Sequence, residues 1–170
     1  MNGETKKNLK QFFIVAGALL TIAAIVITAI AIYLYNTKDA RAEEKRLREN
    51  QYAINAIKNR AEITLPDDAE IVFNISQLIF QDGTEYYVVF KFTEEPIKWL
   101  KDNNFSNSKN KGFEHTLNYF FRSGGWLDES VPQENRPIFD EGYYWLVTRG
   151  ISRFVYMPNK LELIVHINSI

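Results

Sequence analysis

The chain has 170 residues, which suffices for one domain of ordinary size or for a small domain with an appendage. Its formal net charge of -1 conceals two unlike halves. Residues 1–60 carry ten Lys or Arg against five Asp or Glu, whereas residues 61–170 carry ten against sixteen. The acidic second half argues against nucleic acid as a partner, because a phosphate backbone repels it. The lack of cysteine excludes disulfides, thiol catalysis, Cys-based zinc sites and lipid attachment through cysteine.

The first marked feature is an apolar stretch, Phe12 to Asn36, that contains no charged residue. As a helix, residues 12–35 would be about 36 Å long, against roughly 30 Å of bilayer hydrocarbon. A cleaved secretory signal is the alternative, and residues 40–42 offer a formal cleavage site, but such signals have only about 7–15 apolar residues. We therefore predict a retained signal anchor in the cell membrane, with a basic tail over residues 1–11 and a single transmembrane helix over residues 12–35.

The orientation of this helix depends on the basic residues that flank it. Lys6, Lys7 and Lys10 precede the span, and five Lys or Arg follow it between Lys38 and Arg48. By count alone, the positive-inside rule would place the C-terminal part in the cytoplasm. We nevertheless predict an extracytoplasmic C-terminal part, because acidic residues are interleaved with the second basic group and short N-terminal anchors commonly export the chain on their C-terminal side.

A charged segment, residues 36–60, follows the apolar stretch. It contains no Gly or Pro and is rich in good helix formers, which predicts a helical stalk that continues the membrane helix. Leu47, Ile54 and Ile57 give this stalk only a thin apolar edge. We expect most of its surface to be solvated, with ion pairs between charged residues one turn apart.

Small residues recur along the membrane helix at steps of four, three, four and three residues. This is the seam spacing of a left-handed helix pair, in which small side chains let two backbones approach. Composition alone is the alternative explanation, because nine of the 24 positions from Phe12 to Tyr35 are Ala, Gly or Thr. The pattern predicts a seam for a homo-oligomer or a partner membrane helix, made of Gly17, Thr21, Ala24, Thr28 and Ala31.

After the stalk the hydrophobic pattern changes from helix to strand. Two β-rich runs flank residues 81–84, Gln-Asp-Gly-Thr, which is a strong hairpin signal. A short helix with Thr93 as its N-cap follows, and a second hairpin is expected from residues 152–157 and 161–167. The soluble domain, residues 61–170, is therefore predicted to be α+β, with a mainly antiparallel sheet of about five strands and one packed helix.

The order of motifs in this domain invites a comparison. "LPDDAEIV" precedes a hairpin that leads into "YYVVFKFTEEPIKWLKDN", and an aromatic loop then precedes "SRFVYM" and "LELIVHI". This order, over about residues 62–168, resembles small extracytoplasmic domains of uncharacterised bacterial single-pass membrane proteins and lipoproteins. The resemblance implies a cell-envelope location and assigns no catalytic residue.

The residues that could carry chemistry form no catalytic or metal-binding motif. The two histidines, His115 and His166, belong to no zinc, phosphate-loop or serine-hydrolase pattern, and we expect His166 at a surface or sheet edge. We therefore predict no catalytic residue, no metal site and no cofactor. A membrane-anchored hydrolase or small-ligand-binding domain is the alternative, and it would require a closed pocket in which acidic residues meet His115.

The leading hypothesis is a membrane-anchored, non-enzymatic interaction module of the cell envelope. Its expected partners are the lipid bilayer, through the apolar helix, and an unidentified envelope protein, through the folded domain. Aromatic side chains in loops are favoured at such contacts because they bury a large area at a small entropic cost. The predicted partner-facing aromatics are Trp126, Tyr143, Tyr144 and Trp145.

Overall fold

In a computed structural model of the chain, the structure describes residues 3–79, 83–122, 125–148 and 152–167. The helices are α1 (Gly3–Ala56), α2 (Ile97–Asp102), α3 (Lys111–Tyr119) and α4 (Trp126–Ser130). The strands are β1 (Glu70–Ile79), β2 (Gly83–Lys91), β3 (Tyr144–Thr148), β4 (Ser152–Met157) and β5 (Glu162–Ile167). A π-helical turn, Ile57–Ala61, follows α1, and 3₁₀ turns occupy Gln133–Asn135 and Pro158–Lys160.

Helix α1 begins inside the predicted basic tail. The boundary between two compact units, Met1–Leu47 and Arg48–Ile170, falls within this helix. The described side chains of its apolar segment are almost all exposed, and the segment is long and apolar enough to cross a membrane. The first unit is therefore compatible, by length and composition, with a single membrane span or signal anchor.

The second unit contains one five-stranded antiparallel sheet in the order β1-β2-β5-β4-β3. The predicted α+β class, the strand number and both predicted hairpins are therefore confirmed. Strand β5 lies at the centre because the second hairpin inserts it beside β2. The predicted turn residues Gln81 and Asp82 lie outside the described residues.

Helices cover both faces of the sheet, whereas the sequence predicted one packed helix. Successive residues of a strand point to opposite faces, and Val88 and Phe90 on one face of β2 are as buried as Tyr87 and Val89 on the other. The end of α1, the π-helical turn and α2 cover the first face, and α3 and α4 cover the second. Two layers are needed because an apolar face left in water would be unfavourable.

The predicted stalk is helical, but its C-terminal end belongs to the folded unit. Ala53 and Ile57 are fully buried against the sheet, and the small residue Ala56 allows close approach there. The side-chain amide of Asn74 on β1 also donates to Asn50 on α1, at 3.2 Å. The thin apolar edge of the stalk is thus a packing surface in its last two turns.

The segment after α2, in which the sequence indicated an aromatic loop, contains α3 and α4. Asn110 caps α3, since its side-chain oxygen accepts from the Phe113 backbone N–H at 3.1 Å. Phe113 and Leu117, one turn apart, are the buried residues of that helix. Helix α2 begins at Ile97, and Thr93, the predicted N-cap, instead donates its hydroxyl to Asp68.

Candidate functional site

The four aromatic residues predicted to face a partner do not share one surface. Trp126 is half-buried and donates its indole N–H to Glu85 at 2.8 Å. Tyr143 is only 4% exposed, so its ring belongs to the core. Tyr144 packs with the layer formed by α1 and α2, whereas Trp145 packs with the opposite layer. Trp145 lines an open groove.

This groove lies between α3 and the edge strand β3 and has a volume of about 430 Å³. The Trp145 ring lies 5.0 Å from the Phe113 ring, centroid to centroid, and its indole N–H donates to the Ser108 carbonyl at 2.8 Å. The tryptophan is therefore held in one orientation by both apolar and polar contacts. The lining residues are Asn110, Gly112, Phe113, Thr116, Trp145, Val147 and Arg153.

The outer edge of β3 is partly covered by the chain itself. Ser106 and Trp145 form an antiparallel bridge, with backbone hydrogen bonds of 2.9 and 2.8 Å in the two directions. Alternate residues of a strand direct their N–H and C=O groups to the same side, so Val147 directs its backbone groups to this outer edge as well. Within the described residues, no backbone group pairs with those of Val147 on that side.

The groove and the loop beside it carry positive charge. Arg153 contributes the guanidinium, which lies 5.1 Å from the centroid of the Phe120 ring. Partial burial lowers the pKa of Arg153, and the nearby Glu85 carboxylate opposes that shift. Lys109 and Lys111 are exposed on either side of the α3 cap, and the groove lining contains no acidic residue. The groove lining and residues 106–112 thus contain basic side chains and no acidic one.

A buried polar cluster lies on the same face of the sheet. The Glu85 carboxylate on β2 contacts the Trp126 indole N–H and, at 2.5 Å, the His166 Nε2 atom on β5. His166 is fully buried, so the expectation of a surface or edge position was wrong. The near-continuous apolar run in residues 161–167 was the available signal, since a strand buried on both faces reads that way.

The cluster resembles part of a catalytic pair, but neither Glu85 nor His166 belongs to the lining of the groove beside β3. The second imidazole nitrogen of His166, Nδ1, is buried without a hydrogen-bond partner among the described residues. The Phe120 ring lies 4.6 Å from the imidazole, centroid to centroid, and covers it. The evident effect of the arrangement is to connect β2, β5 and α4.

The hydrolase alternative requires a closed pocket in which acidic residues meet His115. This histidine is exposed on α3. A separate open groove of about 360 Å³ beside α2 does gather acidic residues, but its lining includes no histidine. Among the described residues, no group of three or more His, Asp or Glu is placed to hold a metal ion. The acids in that groove's lining are Asp68, Glu94, Glu95 and Asp102.

The predicted membrane seam lies along exposed positions of α1. Thr21 donates its hydroxyl to the Gly17 carbonyl at 2.9 Å, and Thr28 donates to the Ala24 carbonyl at 2.8 Å. Both hydroxyl protons are therefore satisfied within the helix, which lowers the cost of placing them in hydrocarbon. Ala31, the last residue of the pattern, is exposed as well.

No protein-family model matches this chain, and no curated protein or solved structure matches it either. The resemblance to small bacterial envelope domains, which came from the order of motifs, therefore stays a prediction. The function has to be inferred from the geometry of the described residues.

Proposed function

We propose that the chain is a membrane-anchored, non-enzymatic interaction module of the cell envelope. The apolar part of α1 holds it in the cell membrane, and the unit from Arg48 onwards lies outside the cytoplasm. This unit contacts a partner protein through the groove between α3 and β3. The seam of small residues from Gly17 to Ala31 pairs the anchor with a second membrane helix.

The groove beside β3 is the observation that carries the proposal. It combines an aromatic wall, Trp145 against Phe113, with an edge strand whose backbone groups at Val147 are directed outward. Aromatic anchors beside unpaired strand edges are the ingredients of peptide-binding surfaces, because main-chain hydrogen bonds supply affinity and side-chain pockets supply specificity. By contrast, neither the groove beside α2 nor the groove beside β3 brings acidic residues together with a histidine, which supports binding over catalysis.

Photocrosslinking in intact cells tests this assignment. Val147 and Val72 form a matched pair, because both are exposed valines, at 37% and 50%, and they lie on the two opposite edge strands, β3 and β1. A photoreactive benzoylphenylalanine at position 147 of the full chain is expected to give an adduct with a discrete partner protein. The same group at position 72 is expected to give none.

Two results would contradict the proposal. Equal adduct patterns at positions 147 and 72 would indicate non-specific contact with crowded neighbours. The absence of an adduct at position 147, in cells where the chain is folded and membrane-bound, would remove the groove as a partner site.

A further inference from the structure

We propose that the groove binds an extended peptide segment of the partner that carries acidic side chains, and that this segment adds to β3 as a further strand at Val147. This inference rests on the proposed function and narrows it to a mode of binding and a class of ligand. It is based on the free edge of β3, the shape of the groove and the local charge.

The chain itself shows that this edge accepts a strand residue. Ser106 forms two backbone hydrogen bonds with Trp145, the pattern of one antiparallel rung. Towards Val147 the chain then turns away from the edge. Asn104 adopts a left-handed conformation, with φ of 59°, and Phe105 donates its N–H to the Leu100 carbonyl at the end of α2. Among the described residues, none therefore occupies the next rung, and another chain can pair there.

The side chains around this rung favour an extended ligand. In an added strand, alternate residues would point toward α3 and into the groove, since side chains alternate between the two faces of a sheet. There they would meet Trp145, Val147 and Phe113, which provide apolar contact, and Thr116, which adds a hydroxyl at the α3 wall. A helix as ligand could not also pair with the outward N–H and C=O of Val147.

Charge complementarity selects acidic side chains in that segment. The groove lining contains no carboxylate, and residues 106–112, which lead into the first turn of α3, contain two exposed lysines, Lys109 and Lys111, and no acid. The groove of the same unit beside α2 has the opposite character, with four acids to one lysine. A basic ligand would thus be drawn to the α2 side, and an acidic one to β3.

Defined peptides test the proposal with the full chain in nanodiscs of phosphatidylcholine, a lipid without net charge. The probe is a fluorescein-labelled octapeptide of alternating valine and glutamate, read by fluorescence anisotropy. We expect it to bind, more weakly as salt is added. A valine–lysine octapeptide and a valine–glutamate octapeptide with N-methylated backbone amides, which has lost its backbone donors, are expected to bind at least fivefold more weakly.

Two substitutions at one position separate the backbone from the side chain. Val147→Pro removes the outward N–H, and proline is tolerated on an edge strand when that group faces away from the neighbouring strand. We expect Val147→Pro to weaken binding of the valine–glutamate peptide about fivefold to tenfold, the value of one hydrogen bond. Val147→Thr keeps the N–H and a β-branched side chain, and is expected to bind within about twofold of wild type.

Several outcomes would overturn strand addition at β3. They are undetectable binding of the valine–glutamate peptide, equal binding of the valine–lysine or N-methylated peptide, and normal binding by Val147→Pro. If Val147→Pro does not fold, the N-methylated peptide still decides with wild-type protein. If no peptide binds and Val147→Pro reduces a crosslinked dimer of the chain, the occupant of the edge is instead a second copy of the chain. If the peptides fail while position 147 still crosslinks to a partner, the interaction module stands and only this binding mode is wrong.

Discussion

The Glu85 carboxylate and the His166 imidazole lie 2.5 Å apart, and they join two neighbouring strands, β2 and β5, inside an otherwise apolar layer. Trp126 of α4 donates to the other carboxylate oxygen, so one acidic side chain holds three elements. Both members of the pair are buried. The loss of one member of such a buried pair strongly destabilises the fold, because the other member stays desolvated without its partner.

We therefore expect His166→Leu to lower the free energy of unfolding by about 3–5 kcal/mol. Glu85→Gln retains an acceptor for the Trp126 indole and is expected to cost less, about 1–3 kcal/mol. Urea unfolding of the full chain in detergent micelles, followed by tryptophan fluorescence, measures both values. His115→Leu is the matched control, since His115 is exposed on α3, and its effect should stay within about 0.5 kcal/mol. A cost below about 1 kcal/mol for His166→Leu would show that the pair is dispensable.

The end of α1 offers a second stability test. Ile57 is fully buried, whereas Ile54, one turn earlier, is 37% exposed. Ile57→Ala leaves a cavity in the core and should cost about 2–5 kcal/mol, while Ile54→Ala should cost clearly less. The same urea titration compares the two variants. If both substitutions lower the free energy of unfolding by the same small amount, residues 48–61 form a solvated stalk and do not belong to the core.

Three buried tyrosines predict alkaline unfolding. Burial raises the pKa of Tyr87, of Tyr156 and of Tyr143, and the Glu114 carboxylate raises that of Tyr143 further. A phenol whose pKa is raised in the folded state contributes stability that is complete below the unfolded pKa, about 10, and is lost as the pH rises above it. The share of the tyrosinate absorbance that belongs to these three phenols should therefore rise only together with the loss of the folded fluorescence signal, above about pH 10.

Tyr87→Phe checks the contribution of one of these groups. The Tyr87 hydroxyl donates to the Asn135 carbonyl at 2.7 Å, so the variant should be about 0.5–1.5 kcal/mol less stable at neutral pH. Its stability should also fall less steeply with rising pH, because one ionisation linked to unfolding is gone. Tyr119→Phe, at a 63% exposed position, is the control. Tyrosinate absorbance that rises fully before the fluorescence changes would contradict the burial argument.

Protease accessibility decides the orientation of the C-terminal unit. If the unit lies outside the cytoplasm, proteinase K added to spheroplasts should degrade it while a cytoplasmic marker protein stays intact. Complete protection, with degradation only after the spheroplasts are lysed, would reverse the orientation. In that case the basic residues from Lys38 to Arg48 would be the ones retained in the cytoplasm.

The small-residue seam predicts self-association of the membrane helix. Gly17→Leu and Ala24→Leu should reduce the crosslinked dimer in native membranes, because larger side chains separate the two backbones. Ala23→Leu and Ala29→Leu make the same change as Ala24→Leu at positions off the seam and should leave the dimer unchanged. If the seam variants and the off-seam variants lower the amount of crosslinked dimer equally, the spacing of small residues reflects composition alone.

Sequence reasoning succeeded for elements that are specified locally. The alternation of Leu161, Leu163 and Val165 identified β5, and the run before Gly83 identified the first hairpin, because strand periodicity and turn chemistry depend only on near neighbours. It failed for His166, which lies next to Val165 in the same strand. We expected this histidine to face solvent, because the sequence did not reveal that α3 and α4 cover the sheet face on which it lies.

The amino-acid sequence alone therefore determined the apolar helix, the α+β class and the two hairpins, since length, hydrophobicity and period are local properties of the chain. Only the tertiary structure decided where the candidate site lies. Strand order places β5 beside β2, and so brings His166 to Glu85 across 81 residues. It also leaves β3 at the edge, where Val147 faces outward next to α3. Pairings between distant segments depend on the packing of the whole sheet, which no short stretch of sequence specifies.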